Sequence, residues 1–134
     1  QGGALFVSGS YLGEESQYHI PAQMLLHEVL HAEDRGHVVD WSEQGISGLG
    51  TTLAIPRWIN SEHYPVPHPE MLSPVDSSSA FSPFVYEHSH CTAAVAYRGD
   101  YRSVVLGFPF EAIRSASDRD LVMASLLDFL MKRQ

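Results

Sequence analysis

Apolar positions along this chain gather into short runs near its two ends and thin out in the middle. Ala4 to Ser8 is one such run, bounded in front by Gly2-Gly3 and closed by Gly9, as expected of a strand buried on both faces of a sheet. From Ile20 to Glu33 the period changes: Met24, Leu25, Val29 and Ala32 recur near helical spacing, Pro21 suits a first turn, and Gly36 lies past the end. This predicts a helix with Met24, Leu25 and Val29 facing the core. Val38 to Trp41 and Thr51 to Ile55 read as strands joined by a loop containing Gly45, Gly48 and Gly50. Residues 65–83 carry Pro65, Pro67, Pro69, Pro74 and Pro83 with a run of serines at 77–79, which predicts a long irregular excursion over the surface. Ala93 to Tyr97 and Ser103 to Gly107 flank Arg98-Gly99-Asp100, a hairpin pattern. In the final helix Val122, Leu126, Phe129 and Leu130 share one face. Ser117 stands at its start as a cap, with Asp118 and Asp120 at the positive end and Lys132 and Arg133 at the other.

Strands mixed with helices, a Gly-rich turn leading from the first strand into a helix, and a late hairpin together predict an α/β fold with a mostly parallel sheet flanked by helices. The 134 residues suit a single domain. A net charge of −8 argues against nucleic-acid or anionic-membrane partners, which demand a basic face. No apolar stretch is long enough to span a bilayer, so membrane insertion is not expected. The lone cysteine, Cys91, forms no intrachain disulfide and is expected to be a small buried hydrophobe. A start at Gln1-Gly2-Gly3, with neither Met nor a leader, implies a processed or truncated chain.

Three stretches carry a resemblance: Gly2-Gly3-Ala4-Leu5-Phe6-Val7-Ser8-Gly9-Ser10-Tyr11-Leu12-Gly13, Leu106-Gly107-Phe108-Pro109-Phe110-Glu111-Ala112-Ile113 and Arg119-Asp120-Leu121-Val122-Met123. The chain resembles the C-terminal portion of the glutamine-amidotransferase-like (class I) domain of secreted Bacteroidetes proteins labelled xanthan lyases. The resemblance implies a flavodoxin-like three-layer arrangement and a secreted or periplasmic location. It also implies an incomplete N-terminus, since the family's domain begins several strands upstream. An uncovered sheet edge would then invite pairing with a second copy, as a homo-oligomer, or with the missing upstream part.

In active members of the superfamily a cysteine occupies a strained strand-to-helix turn, and a late motif like Phe-His-Pro-Glu supplies a histidine and a glutamate. The matching segments here are Ser8-Gly9-Ser10-Tyr11-Leu12-Gly13 and Gly107-Phe108-Pro109-Phe110-Glu111, without the cysteine and the histidine. Serine lacking an adjacent base is a poor nucleophile at neutral pH. Ser8, Ser10 and Glu111 are therefore read as vestiges of a catalytic site, and the chain as a non-catalytic accessory or structural module of a polysaccharide-related protein that needs no cofactor. A serine-hydrolase-like remnant is the alternative in which His63 or His68 supplies the base. His68-Pro69-Glu70 imitates the family tripeptide, but it follows Val66-Pro67 and not an apolar strand, so it is read as a chance match.

A second alternative is a zinc-dependent hydrolase. His27-Glu28-Val29-Leu30-His31 places two histidines one helical turn apart with a glutamate to activate water, His37 lies at the spacing of a third ligand, and Met71 falls where a Met-turn would. Asp34 occupies the position where a third-ligand loop requires glycine, and about one strand precedes His27, which leaves the zinc-hydrolase scaffold absent. Trp41, Trp58, Tyr64, Phe81, Phe84 and Tyr86 are candidates to stack on sugar rings, making carbohydrate the expected ligand class; buried, each is simply a core plug. His88 and His90 are expected to face solvent along an extended segment.

Overall fold

A computed structural model describes residues 2–38, 43–56, 58–59, 64–66 and 69–132, with the backbone alone at 43, 44, 58, 59, 64 and 65. Trp41, His63 and His68, together with the side chains of Trp58 and Tyr64, lie outside the described parts. In chain order the elements are β1 (Ala4–Ser8), α1 (Leu12–Tyr18), α2 (Ile20–Met24) running into a π-turn (Leu25–Val29), and β2 (Ala32–His37). There follow β3 (Glu43–Gly48), β4 (Thr51–Pro56), β5 (Trp58–Ile59), β6 (Tyr64–Pro65), β7 (Glu70–Pro74), β8 (Ala80–Phe81) and β9 (Phe84–Tyr86). The hairpin β10 (Ala94–Arg98) and β11 (Arg102–Leu106) leads through a 3₁₀ turn (Phe110–Ala112) into α3 (Ala116–Met131).

The fold is mixed α/β. Its central sheet has the order β1-β11-β10-β8, and further ladders join β2 to β7, β4 to β3 to β9, and β5 to β6. β1 and β11 run parallel, from Ala4 opposite Arg102 to Ser8 opposite Leu106, while the β10–β11 and β10–β8 ladders are antiparallel. The expectation of a mostly parallel sheet is thereby corrected. β10 and β11 are joined by a tight turn, as are β3 and β4, and connections that short reverse the chain direction.

Alternation along the sheet assigns its two faces. Phe6, Ala94, Ala96, Val104 and Leu106 pack with Val122, Leu126 and Leu130 of α3. Leu5, Val7, Val95 and Val105 face the other way, onto Leu26 and Leu30 of the π-turn region with Leu72 and Ala80. Ser115, not Ser117, caps α3: its Oγ accepts from the Asp118 amide at 3.3 Å and lies 2.7 Å from the Ser117 hydroxyl.

The helix expected from Ile20 to Glu33 is shorter and faces differently. From Leu25 it widens into a π-turn, with the Leu30 amide donating to the Leu25 carbonyl five residues back. The wider turn carries Leu26 and Leu30 into the core and leaves Met24, Leu25 and Val29 exposed. His31, at φ 56°, ends the segment, and Ala32 onward forms β2, in which Gly36 at φ 102° accompanies a register shift against β7.

Gly45 and Gly48 belong to β3 instead of a loop. A Cβ at Gly48 would collide with the Pro83 carbonyl and come within 2.5 Å of Phe84, so glycine there lets β9 close onto β3. The excursion expected at 65–83 contains β7 and β8, because long-range pairing to β2 and β10 draws Leu72 and Ala80 into the core. Cys91 is half-buried and free, and His88 and His90 lie exposed in and after a turn, His90 at φ 60°.

Candidate functional site

Parallel strands that lie side by side release their chains at the same end of the sheet, and β1 and β11 do so here. The β1 exit, Ser8-Gly9-Ser10, meets the β11 exit where the Phe110 amide donates to Ser8 Oγ at 3.3 Å. Phe6 and Phe110 close the contact edge to face, ring centroids 6.2 Å apart, and Phe108 is fully buried beneath. Glu111 stands exposed on the 3₁₀ turn. Ser10 Oγ is buried without a hydrogen-bond partner among the described residues.

The strained residue of the strand-to-helix turn is Tyr11, at φ 64°, and neither Ser8 nor Ser10 occupies that conformation. A left-handed backbone costs an L-residue roughly 1–2 kcal/mol, and a strand-to-helix elbow uses such a bend to expose its nucleophile. A phenol stands at that position here.

The amides that follow the bend are already occupied. Gly13 N–H donates to Glu70 Oε1 and Glu14 N–H to Glu70 Oε2, both at 2.8 Å, so one carboxylate from β7 clamps the first turn of α1. Glu70 is 1% exposed. Burial pushes its carboxyl pKa up, the two amides pull it partly back, and Asp34 and Glu14 add to the rise by charge repulsion. Gly13 is glycine because a Cβ there would come within 2.5 Å of Asp34 Oδ1 and 2.7 Å of Glu70 Oε2. The main chain of Glu70 ties the clamp to the corner: its amide donates to the Gly107 carbonyl at 2.7 Å, and its own carbonyl accepts from the buried Tyr86 hydroxyl at 2.8 Å. Burial raises the Tyr86 phenol pKa, with further pushes from Glu70 and Cys91.

Sequence reasoning set Glu70 aside as part of a chance tripeptide. The available signal was a lone acid followed by the alternating Met71-Leu72-Ser73, a pattern obscured by the surrounding prolines.

The histidines of the zinc alternative are arranged otherwise than the motif needs. Two ligands at i and i+4 require a regular α-helix, but Leu25–Val29 is a π-turn and His31 lies beyond it in a left-handed conformation. The His31 ring stacks on Tyr97 at 3.6 Å, and its Nε2 is 2.8 Å from the Tyr101 hydroxyl, which donates to the Val29 carbonyl at 2.7 Å. Burial lowers the His31 pKa, opposed by Asp76. His37 is exposed on β2, Met71 is half-buried on β7, and no group of three potential metal ligands occurs among the described residues.

Among the aromatic candidates, Phe84 and Tyr86 are fully buried core plugs. Phe81 is 42% exposed and meets Phe129 edge to face.

No family model matches the chain, and no curated protein does. Solved structures of Gan42B, a GH42 β-galactosidase from G. stearothermophilus, and of a catalytic mutant of that enzyme share its fold. Each has a TM-score of 0.59 and 14% identity, covering 98% of this chain and 18% of the enzyme chain. The chain thus corresponds in fold to a segment of a much longer carbohydrate-active enzyme.

Proposed function

We propose that this chain is a non-catalytic, amidotransferase-like accessory or structural module of a larger, secreted or periplasmic protein that acts on polysaccharide. The carrying observation is the Glu70 clamp: a buried side chain of the protein itself occupies the amides after the bend, where a reacting carbonyl would need donors. Three features support the same reading. Tyr11 replaces the thiol at the strained residue, the 107–111 corner carries no histidine, and the two strand exits meet with Phe108 and Phe110 packed at the junction. The likeness to part of a β-galactosidase supports a carbohydrate setting in which turnover belongs to other parts of the parent protein.

The test is to incubate the purified chain with glutamine and with polysaccharide oligomers. Release of ammonia, cleavage of the oligomer and saturable binding of the oligomer by calorimetry are then measured. No turnover is expected with either substrate. Turnover that falls on Ser10→Ala or Glu111→Gln would overturn the reading, and absence of saccharide binding would restrict it to a structural role.

The orphan hydroxyl of Ser10 favours one second reading, a serine-hydrolase remnant. A fluorophosphonate that labels the native chain but not the Ser10→Ala variant would promote it.

A further inference from the structure

Arg102 is a buried cation without an anion. It opens β11 on the face turned to α3, since Val104 and Leu106 further along the same strand pack against that helix. The residue is 6% exposed, and its guanidinium carbon lies 5.0 Å over the Phe129 ring. Among the described residues the guanidinium makes no hydrogen bond and no ion pair, and its Nε is sealed from solvent in that state. A guanidinium does not shed its proton to escape burial, and an aromatic face offsets only part of the lost hydration.

The ladder places a second cation beside the first. Arg98 of β10 stands directly opposite Arg102, so both side chains rise from the same face of the sheet. Like charges in a directly opposed pair repel. Among the described residues no carboxylate answers them: the ion pairs join His19 to Glu15 and Arg35 to Glu33. Glu28 and Asp76 stand with Tyr101 and His31 on the π-turn layer, across the sheet from the two arginines. Asp100 and Asp128 are exposed and pair with neither arginine. An apolar wall borders the pair on the same face. Phe81 of β8 lies opposite Ala96 of β10, meets Phe129 edge to face with centroids 5.7 Å apart, and is 42% exposed. Phe129 thus touches Phe81 on one side and Arg102 on the other.

We propose that Arg98, Arg102 and Phe81 form a binding site for an acidic sugar, a uronate unit of a glycan whose carboxylate joins the two guanidinium groups while its ring lies against Phe81. The chemistry of the three side chains selects this class. A carboxylate is planar and accepts two parallel hydrogen bonds from a guanidinium fork. Bound here, it screens the two arginines from each other and gives the buried one the partner that it lacks. The phenyl wall suits the apolar face of a pyranose, which a bare inorganic anion does not have. A neutral sugar would leave both charges as they are. The inference rests on the carbohydrate setting proposed above and names the kind of saccharide.

Calorimetric titration of the whole chain with a glucuronate tetramer, the matching neutral glucose tetramer and inorganic phosphate tests it. The acidic tetramer is expected to bind at least about tenfold tighter than either of the others, with the advantage shrinking as salt is raised. Arg102→Met is expected to weaken acidic-tetramer binding at least about tenfold, and Arg98→Gln at least about threefold. Phe81→Ala should weaken binding of the acidic tetramer and leave that of phosphate unchanged. Circular dichroism establishes that each variant is folded; Arg98 is exposed, so Arg98→Gln carries the test if Arg102→Met fails to fold. No binding of the acidic tetramer, equal affinity for the neutral one, tighter binding of phosphate, or acidic-tetramer binding unmoved by the arginine variants overturns the proposal. Turnover of glutamine or polysaccharide would instead sink the accessory-module reading and leave these titrations standing.

Discussion

Glu70 concentrates the chemistry of this molecule in a single side chain. Its folded-state pKa stands above the ordinary 4.5 because burial outweighs the two amide hydrogen bonds, and repulsion from Asp34 and Glu14 adds to the rise. Between the ordinary and the raised value the folded chain holds a proton that the unfolded chain has released, so this residue's contribution to stability falls as pH rises through that window. Urea unfolding across a pH series should show wild type losing stability relative to Glu70→Gln from pH 4.5 upward; a difference independent of pH would refute the assignment. A second residue-scale case is Tyr101, whose hydroxyl joins His31 Nε2 to the Val29 carbonyl. Tyr101→Phe is expected to cost about 1 kcal/mol by denaturant titration. Neither residue was legible in the sequence as a working part. A buried acid satisfied by amides more than fifty positions away leaves no local pattern, and His31 lies in a helical zinc motif that the π-turn dissolves.

At the scale of elements, legibility followed locality. β1, the hairpin of β10 and β11, and α3 came directly from apolar spacing and turn residues, because neighbouring side chains alone decide those features. The glycine-bearing strand β3 did not. Gly45 and Gly48 signal a loop to local reasoning, whereas the structure uses them to admit Glu87 and β9 at close range. The contrast is measurable at two positions only two residues apart. Gly48→Ala should destabilise by about 1–3 kcal/mol through overpacking against Pro83 and Phe84. Gly50→Ala meets open space and carries only the strain of its positive φ, about 1 kcal/mol. Thermal melts that rank the two the other way would move the tight contact to the turn. The π-turn belongs to the same class of error: widening one turn exchanged the buried and exposed faces of a correctly located helical segment, and this depends on what lies beneath it, namely Leu72, Ala80, Val95 and Val105.

For the molecule as a whole, the governing arrangement is a sheet whose successive residues serve opposite layers. Val104 and Leu106 face α3, while Val105 between them faces the π-turn region. A sheet shared in this way couples two cores that do not touch each other directly, so neither layer can leave without stripping one face of β11. Truncating one leucine on each side tests that coupling. Leu30→Ala and Leu126→Ala remove side chains that are 1% and 3% exposed, and each should cost about 2–5 kcal/mol. With no shared contacts the two costs should add to within about 0.5 kcal/mol. Cooperativity is the sharper readout. If β11 holds the layers together, the single variants unfold in one transition by both far-ultraviolet circular dichroism and tyrosine fluorescence, with unchanged dependence on denaturant. Two separated transitions in Leu126→Ala would mean that the α3 layer melts alone. In that case β1 and β11 would retain their parallel pairing only through the Leu5, Val7 and Val105 side of the sheet.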